Sequence, residues 1–446
     1  MSNPSSQSDT TLENGIASGD SRSNQSDKPV RDEKDVGFVE EIVVEDGEPP
    51  DGGLTAWLQV LGSYSLYFNT WGTVNTFGVY QTYYETELLQ HMSPSAISWI
   101  GSIQSFLLLA VGVISGPLYD GGRLHLLLTA GLVLITVGMM MTSICKEYWQ
   151  IVLAQSICVG VGTGCLYIPS VAIIPEYFSR RKALAMGIVT SGSSFGGVIY
   201  ALMFQGLLPR VGFGWTTRIM GFTSLATLSI SFLVLRRRTT AVQIRSLLDK
   251  QAFRERPYVI YCCGICLSYV AFFAPIFYLQ TYALAHGLEG QTVGYYLVAI
   301  LNASSVVGRL TPSLIANKIG PTHTFFISVT LAGVTTFGWI NSNSAGRNIA
   351  FAIFFGFFTG GIVALPAVVL TSFTRDLSRL GTRLGMSSVL NGVASLIGTP
   401  IAGAILSASG NYLGIQLFSG FLFMLTAAFM VVLRFEITGK KLLVRA

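Results

Sequence analysis

Charged residues are scarce in this 446-residue chain, and their scarcity excludes most soluble architectures. Asp, Glu, Lys and Arg make up 11% of the sequence, whereas hydrophobic residues make up 51%. A soluble globular chain has about 25% charged residues, so this chain has less than half the usual supply. We therefore exclude a cytosolic enzyme, a nucleic-acid-binding protein and a disulfide-stabilised scaffold, and we treat the bilayer as the solvent of the chain.

Signatures of catalysis and nucleotide binding are missing as well. The sequence contains no Gly-x4-Gly-Lys-Ser/Thr loop for ATP phosphates. Residues 192–196 fit the Gly-x-Ser-x-Gly hydrolase pattern, but they lie within a predicted helix rather than at a strand-to-helix elbow. The six cysteines and four histidines suggest no metal site, and we interpret the cysteines as small buried hydrophobic residues. We therefore expect no enzyme activity, no cofactor and no metal.

The few charges are unevenly distributed along the chain. Residues 1–51 contain 13 of the 23 acidic residues and four of the 28 basic ones, so this segment has a net charge of −9 and the remainder +14. High charge with little apolar surface is typical of disorder, and an acidic segment does not fit a signal peptide. We expect a disordered cytosolic tail. A regulatory or partner-docking segment is the alternative.

Twelve apolar stretches follow the tail, and a helix of about 20 such residues spans the roughly 30 Å hydrocarbon layer. The stretches lie at about 54–79, 96–118, 124–144, 149–174, 183–207, 216–235, 257–281, 292–315, 322–340, 348–372, 385–407 and 412–434. They lack the period-two alternation of a membrane β-barrel. The sequence therefore predicts an all-α integral membrane protein with twelve transmembrane helices.

A basic segment from Arg236 to Arg256 separates the sixth stretch from the seventh and predicts two six-helix, pseudo-symmetric halves. Ile-Pro-Ser-Val at 168–171 and Leu-Pro-Ala-Val at 365–368 occupy equivalent places in the two halves. Such repetition is typical of secondary transporters. The expected domains are a tail at 1–51, a bundle at 52–235, a linker at 236–256, a bundle at 257–436 and a C-terminal tail at 437–446.

The basic residues predict the orientation of the chain. If both termini are cytosolic, the inner loops and the C-terminal end carry 20 basic residues beyond the tail. The outer loops carry four, at Lys146, Arg210, Arg218 and Arg347. This bias satisfies the positive-inside rule. We expect a multi-pass protein, in contact with membrane lipid, that acts as a monomer in the plasma membrane.

Three segments stand out as motifs. They are Pro-Asp-Gly-Gly at 50–53, Gly-Pro-Leu-Tyr-Asp-Gly-Gly at 116–122, and Glu-Tyr-Phe-Ser-Arg-Arg-Lys-Ala-Leu-Ala-Met-Gly at 176–187. Together they resemble signatures of the major facilitator superfamily, and within it the fungal monocarboxylate-porter-like branch. The resemblance covers residues 49–436. It implies the fold of that superfamily and transport of a small molecule by alternating access.

These motifs contain the candidate gating residues. Gly116, Pro117, Gly121 and Gly122 favour a tight reversal, and Asp120 can accept hydrogen bonds from N–H groups at a neighbouring helix N-terminus. Glu176 and Arg180 are four residues apart and would face each other on a helix. Anchoring of helix ends at the headgroups is the alternative role. The full set is Gly116, Asp120, Arg123, Glu176, Arg180 and Gly187.

Arg309 is a strong charge inside a predicted span, whereas no Asp or Glu lies in the middle of any span. A lone cation at that depth costs about 2.5–3.5 kcal/mol, so it should face a cavity or a partner. Its planar guanidinium suits a carboxylate. Snorkelling to the inner surface is the alternative.

The resemblance also bears on Arg309. In animal monocarboxylate transporters, an arginine in helix eight, an aspartate one turn earlier and a lysine in helix one bind the anion and the proton. Arg309 matches the arginine, but Ser305 and Asn75 stand at the other two positions. The sequence thus identifies no carrier for a coupled proton.

Other polar and aromatic side chains are candidates to line a central cavity, although each could instead form interhelical contacts. The substrate-binding candidates beside Arg309 are Asn75, Asn302, Asn391, Tyr269, Tyr167 and Gln205, with Asn69, Gln104, Phe272 and Phe273 as further ones. We predict a secondary active transporter of an organic acid-like metabolite and favour efflux of a fungal secondary metabolite. An uptake permease for monocarboxylates and a transport-inactive nutrient sensor are the alternatives.

Overall fold

The computed structural model describes residues 49–238, 248–288, 292–340, 342–374 and 379–439. Within these ranges the chain is helical and has no strand. Most of the predicted acidic tail, the middle of the basic linker and most of the C-terminal tail lie outside the described residues.

Helices α1 to α6 form the first half of the molecule. Helix α1 comprises Leu54–Asn69, Trp71–Asn75, Phe77–Tyr83 and a π-helical turn at Tyr84–Leu88, α2 is Pro94–Asp120, and α3 is Leu124–Thr142. Helix α4 comprises Tyr148–Ile151, the π-helical Val152–Val159, Gly160–Ala172 and Ile174–Tyr177. Helices α5 and α6 share the stretch Lys182–Val234 and meet at Gly212.

The chain reverses direction at Gly212. This residue has φ 73° and ψ 171°, a backbone conformation that glycine adopts without strain. The hydroxyl groups of Tyr200 and Ser224 lie 2.8 Å apart. In a straight helix, residues with this separation would be about 36 Å apart. Helices α5 and α6 are therefore antiparallel neighbours.

Helices α7 to α12 form the second half. Helix α7 comprises Arg256–Ala283 and a π-helical turn at Leu284–Leu288, and α8 is Thr292–Ile319. Helix α9 is Pro321–Gly338, and α10 comprises Ala345–Ala364 and Pro366–Phe373. Helix α11 is Leu380–Ser409 and α12 is Leu413–Thr438. A short 3-10 helix, Ala252–Arg254, precedes α7.

Nine helices in the described ranges are long and apolar enough to cross a membrane. The stretch that contains α5 and α6 counts once among them although it crosses twice. Helix α1 is interrupted at Thr70 and Thr76, and α9 opens with the polar sequence Pro-Thr-His-Thr. These features explain why α1 and α9 fall outside the nine. The twelve predicted helices are all present as helical segments.

Several helix ends differ from the sequence prediction, those of α1 and α2 among them. Helix α1 continues to Leu88 rather than ending near residue 79, because the extra turns bury Tyr80 and Tyr84 against Phe213. Helix α2 continues through Pro117, so the reversal that we expected in residues 116–122 does not begin at this proline. The reversal follows Asp120, where Gly122 has a φ of 84°.

Glycines bring neighbouring helices into backbone contact. A Cβ atom on Gly196 of α5 would lie 2.4 Å from the carbonyl oxygen of Phe68 on α1. A Cβ atom on Gly308 of α8 would lie 2.0 Å from the carbonyl oxygen of Phe357 on α10. Small residues supply helix packing in lipid, where no hydrophobic force draws helices together.

Helices α1 and α7 cross at equivalent positions of the two halves. The rings of Phe77 and Phe277 have centroids 4.7 Å apart, and the hydroxyl oxygens of Thr82 and Thr281 are 3.2 Å apart. In both helices the π-helical turn follows this contact. The two halves thus meet through corresponding faces of α1 and α7.

We name the end of the bundle that carries residues 119–123, 178–181, 235–238 and 248–255 the basic end. The end that carries the π-helical turns of α1 and α7 is the distal end.

Candidate functional site

Arg309 lies between the two halves and is 3% exposed. Its Nη1 donates a hydrogen bond to the carbonyl oxygen of Thr190 on α5, at 3.1 Å. Its Nε is buried and has no hydrogen-bond partner among the described residues. A buried donor without an acceptor costs about 1–3 kcal/mol, and more when it is charged. Arg309 therefore retains a directed donor that an anionic ligand would satisfy.

Two tyrosines lie near this guanidinium. The side chains of Tyr67 on α1 and Tyr269 on α7 are close enough to interact electrostatically with Arg309. The ring of Tyr167 on α4 lies 6.4 Å from that of Tyr67, centroid to centroid. Helices α1, α4, α7 and α8 thus each contribute a side chain, and they come from both halves.

Two further aromatic rings extend this group. Trp71, one turn after Tyr67 on α1, lies edge-on to Tyr167 with centroids 6.0 Å apart. Phe272 stacks on Tyr269 at 6.1 Å. We name Tyr67, Trp71, Tyr167, Tyr269 and Arg309 the central site. It offers one cation, hydroxyl groups and aromatic faces, a combination that suits an acidic molecule with a ring system.

The structure thus brings Arg309, Tyr167 and Tyr269 together, as the sequence predicts. It places two of the predicted amides at helix contacts. Asn302 donates to the carbonyl oxygen of Val298 on its own helix and packs directly against Gly197 on α5. Gln205 on α5 donates to Gln280 on α7 at 3.5 Å. These two amides join the halves beside the central site.

Asn75 and Asn391 are buried on α1 and α11, at 5% and 7% exposure. Neither amide forms a hydrogen bond with another residue in the described ranges. Their contribution to substrate binding stays a prediction.

Asn69 and Gln104 face the interior of the first half instead. Asn69 accepts a hydrogen bond from Tyr200 at 2.6 Å and donates to Thr227 at 2.8 Å, which ties α1 to α5 and α6. Gln104 lines a small cavity of about 10 Å³ together with Gln155 of α4. Asn69 therefore forms hydrogen bonds between helices, which was the alternative to lining a central cavity.

Sequence reasoning missed Tyr67 and Trp71. They lie four residues apart within the first predicted span and so share a helix face. Aromatic residues are common throughout α1, so this spacing alone did not distinguish the face towards the second half from the face towards α5.

At the basic end, Glu176 is held by residues from the end of α2 and from the start of the linker. Its carboxylate accepts hydrogen bonds from the hydroxyl of Tyr119 at 2.7 Å and from the backbone N–H of Arg238 at 2.8 Å. The Nε of Arg237 lies 3.6 Å from the same carboxylate. Arg237 also stacks on the Tyr119 ring and donates to the carbonyl oxygen of Asp120 at 3.2 Å. We name Tyr119, Glu176 and Arg237 the first latch.

The predicted pairing of Glu176 with Arg180 requires one continuous helix, and the structure contradicts it. The helix that contains Glu176 ends at Tyr177, and Phe178 is extended with φ −130° and ψ 127°. The backbone N–H of Arg180 instead donates to Asp51. A basic partner of Glu176, Arg237, comes from the start of the linker, about 60 residues further along the sequence.

Asp51 accepts hydrogen bonds from backbone N–H groups just before α5, whereas a capping role for Asp120 stays a prediction. The Asp51 carboxylate accepts from the backbone N–H groups of Ser179, Arg180 and Arg181, at 2.7, 3.1 and 3.3 Å. These groups precede α5, so Asp51 joins the start of α1 to the start of α5. The N–H of Arg180, followed by those of Ser179 and Arg181, lowers the pKa of the Asp51 carboxyl below its usual value.

We expect Asp51→Asn to lower the melting temperature at neutral pH by a few degrees. The folded-state pKa is depressed, so the stabilisation is present above the usual aspartate pKa and is lost as the pH falls through the lower, folded-state value. The difference between wild type and variant should therefore narrow below about pH 4. Melting in detergent from pH 3.5 to 7.5 tests this, with the exposed Glu436→Gln as control. A difference that does not depend on pH would contradict the prediction.

The remaining gating candidates have different surroundings. Gly187 faces Leu310 of α8, where an added Cβ atom would lie 3.1 Å from a side-chain carbon. Gly116 has open space in the direction of a Cβ atom. Arg123 is exposed at the start of α3. Their role in gating stays a prediction.

The second half has a comparable latch that sequence reasoning missed. Arg383 of α11 is 4% exposed and binds both carboxylate oxygens of Glu255, with Nη1 at 2.8 Å from Oε2. Its Nε donates to Asp249 at 3.2 Å. Glu255 and Asp249 belong to the linker, so Arg383, Asp249 and Glu255 form the second latch. The two ends of the linker are thus fastened to different halves.

We expect Arg237→Ala to destabilise the basic end by about 2 kcal/mol, because it removes one partner of a largely buried ion pair together with the contact of its guanidinium with Tyr119. The exposed neighbour Arg236→Ala is the matched control and should leave stability unchanged. Limited proteolysis measures the rate of cleavage in the linker and so reports how far this end has loosened. Each variant is digested at the same number of degrees below its own melting temperature. Equal cleavage rates in the two variants would contradict the latch.

Comparisons with known proteins agree with this architecture. A family model described as Major Facilitator Superfamily matches residues 60–345. The chain is 41% identical over 372 residues to the MFS-type transporter dbaD of Emericella nidulans. The aligned region covers 83% of this chain and 84% of dbaD. The chain is 38% identical over 390 residues to the aspyridones efflux protein apdF of the same fungus, covering 86% and 79%. It is 36% identical over 405 residues to the MFS transporter asaE of Aspergillus flavus, covering 89% and 90%.

Proposed function

This chain belongs to the major facilitator superfamily, and from that premise we propose that it exports an acidic secondary metabolite that contains an aromatic or extended ring system. The chain is a multi-pass membrane transporter of a small molecule and not an enzyme. Its substrate, direction and driving force are the subject of the proposal.

The observation that carries the proposal is the buried Arg309, whose Nε lacks an acceptor. A carboxylate or another delocalised oxyanion would accept from this atom and offset the charge. Thr190 supplies only a neutral carbonyl acceptor. An anionic group on the substrate is therefore the ligand that the site fits best.

The aromatic side chains indicate the remainder of the substrate. Tyr67 and Tyr269 lie near the guanidinium, and the rings of Tyr167 and Trp71 pack beside Tyr67 and Tyr167 respectively. A sugar offers many hydroxyl groups that these rings would leave unpaired. A ring system with an acidic group uses both parts of the central site.

Efflux is favoured by the relatives. One of them is named for efflux of aspyridones, and it covers most of this chain. The monocarboxylate-porter-like branch remains a prediction from the motifs, and uptake of a monocarboxylate is the alternative direction.

We infer that the basic end faces the cytosol, which places both termini there, and that the protein acts as a monomer in the plasma membrane. The distal end is closed by contacts between the halves. Ser95 donates to the carbonyl oxygen of Pro400 at 2.9 Å, and Tyr278 donates to that of Pro94 at 3.1 Å. Substrate would enter from the cytosolic side while these contacts hold. A proton gradient is the proposed driving force.

The test compares metabolites inside and outside cells with and without this gene. Export predicts that one acidic, ring-containing compound accumulates inside the deletion strain and disappears from the medium. Accumulation outside the deletion strain would instead indicate uptake. Unchanged distribution of every such compound would contradict the proposed function.

The sensor alternative has its own test, the deletion of residues 1–45. Loss of a nutrient response with intact binding would indicate a sensor that signals through its tail. Unchanged export by the truncated protein supports the transporter.

A further inference from the structure

Glu85 is an acidic side chain at the junction of the two halves, in the π-helical turn that ends α1. It lies partly buried near the distal end. Gln81, one turn earlier, donates from Nε2 to its Oε1 at 2.5 Å, and the side chain of Thr281 on α7 lies near the carboxyl group. The carboxyl group of the first half thus lies beside a residue of the second half.

The titratable groups that face Glu85 from other helices are tyrosines. They are Tyr278 on α7 and Tyr412 at the start of α12. The hydroxyl group of Tyr278 donates its hydrogen bond to the carbonyl oxygen of Pro94. His286 stacks on Tyr282 and contacts Tyr412 edge-on, with ring centroids 4.2 and 5.6 Å away.

No cationic side chain pairs with Glu85 in the part of the chain that the structure describes. A carboxylate that is shielded from water needs a cation or several donors to remain charged, and this partly buried one accepts from a single amide, that of Gln81. The Oε1 atom of Gln81 is buried and has no donor. If Glu85 is protonated and the Gln81 amide is turned round, the carboxylic acid can donate to this oxygen. The surroundings therefore favour the neutral acid while the distal end is closed.

The carboxyl group has no counterpart in the equivalent turn of the second half. Thr82 meets Thr281 across the junction, so the π-helical turn of α7 is the counterpart of the turn that carries Glu85. That turn reads Leu-Ala-His-Gly-Leu and has no acidic residue. Single-turn π-helices occur frequently at functional sites, because they are costly to keep otherwise. Helix packing alone, which both halves share, does not require an acid here.

We propose that Glu85 is a proton-binding site between the two halves, and that closing of the distal end is coupled to protonation of its carboxylate. The proton comes from the medium while the distal end is open, and the carboxylate becomes a neutral acid. The neutral side chain then fits between α1, α7 and α12. Deprotonation leaves an uncompensated charge at the junction and favours opening.

The direction of the pH effect follows from linkage. The closed state binds the proton more tightly than the open state, so a fall in pH favours closure. For one proton, the ratio of closed to open molecules changes by at most about tenfold per pH unit. This inference rests on the proposed alternating-access transport but not on the identity of the substrate.

The experiment measures the distance across the distal end without any substrate. Spin labels are introduced as non-canonical amino acids at Gln90 and Asn411, which are exposed at the ends of α1 and α11, so the native cysteines remain. Double electron–electron resonance in lipid nanodiscs from pH 4.5 to 8.5 gives the fraction of closed molecules. We expect that fraction to fall as the pH rises.

Glu85→Gln mimics the neutral acid and should remain closed across the whole range. Glu87→Gln, an exposed carboxyl two residues away, is the matched control and should retain the wild-type pH dependence. A wild-type distance that does not change with pH, or a Glu85→Gln variant that titrates like wild type, would overturn the proposal. Because no metabolite is present, a failed export assay would leave this outcome unaffected.

Discussion

Arg309→Ala should reduce export of the transported anion at least about 30-fold while leaving the amount of folded protein in the membrane near that of wild type. Truncating one partner of a buried charge pair costs about 2–5 kcal/mol, and 2 kcal/mol already corresponds to about 30-fold. The variant also removes a buried charge from the empty protein, so it does not lose stability for electrostatic reasons. The measurement is the export rate of the metabolite identified by the comparison of strains, per amount of folded transporter.

Two controls separate a binding role from a general effect. Arg309→Lys keeps the charge but loses the planar fork, so its export rate should lie between those of wild type and Arg309→Ala. Arg347→Ala removes an exposed arginine at the distal end and should leave export unchanged. Near-normal export by Arg309→Ala would remove this residue from the substrate site. Equal loss in Arg309→Ala and Arg309→Lys would show that the fork, rather than the charge, is required.

Gly308→Ala should have the largest effect on folding. The added Cβ atom would lie 2.0 Å from the carbonyl oxygen of Phe357 on α10. Gly360, also on α10, packs closely against the backbone of Gly308 itself. Neither neighbour is a side chain that can rotate away, so α8 and α10 must separate. Overpacking of this kind costs about 3 kcal/mol, the upper part of the usual range.

The matched control is Gly385→Ala in α11, where the new Cβ atom meets nothing within 4 Å. The same substitution should there raise stability slightly, because alanine favours a helix by about 1 kcal/mol over glycine. Fluorescence-detected size-exclusion chromatography after heating gives both melting temperatures. If Gly308→Ala melts at or above the temperature of Gly385→Ala, close packing of α8 on α10 does not limit stability.

The sequence predicted the class of fold because each helix must satisfy its backbone within lipid, and the apolar stretches show this directly. The sequence singled out Arg309 as a candidate site residue, because a charge within such a stretch is rare. It did not single out Glu85, because this residue lies beyond the apolar stretch of α1, in the extra turns that bury aromatic residues.

The latches show where sequence reasoning reaches its limit. The pairing of Glu176 with Arg180 rested on spacing within one helix, and that helix ends between them. The actual contacts of Glu176, with Tyr119 and Arg237, join segments about 60 residues apart. Local periodicity carries no information on such contacts, which depend on how the helices are arranged in space.

The linker has one more consequence, which concerns the amplitude of motion. It is fastened to the first half at Arg237 and to the second half at Asp249, through the two latches. Twelve residue steps separate Arg237 from Asp249, and a fully extended chain covers at most about 3.6 Å per step. With both latches closed, these anchor points cannot move more than about 43 Å apart. The covalent length of the chain thus sets an upper limit on how wide the basic end can open, and shortening the linker should reduce that limit residue by residue.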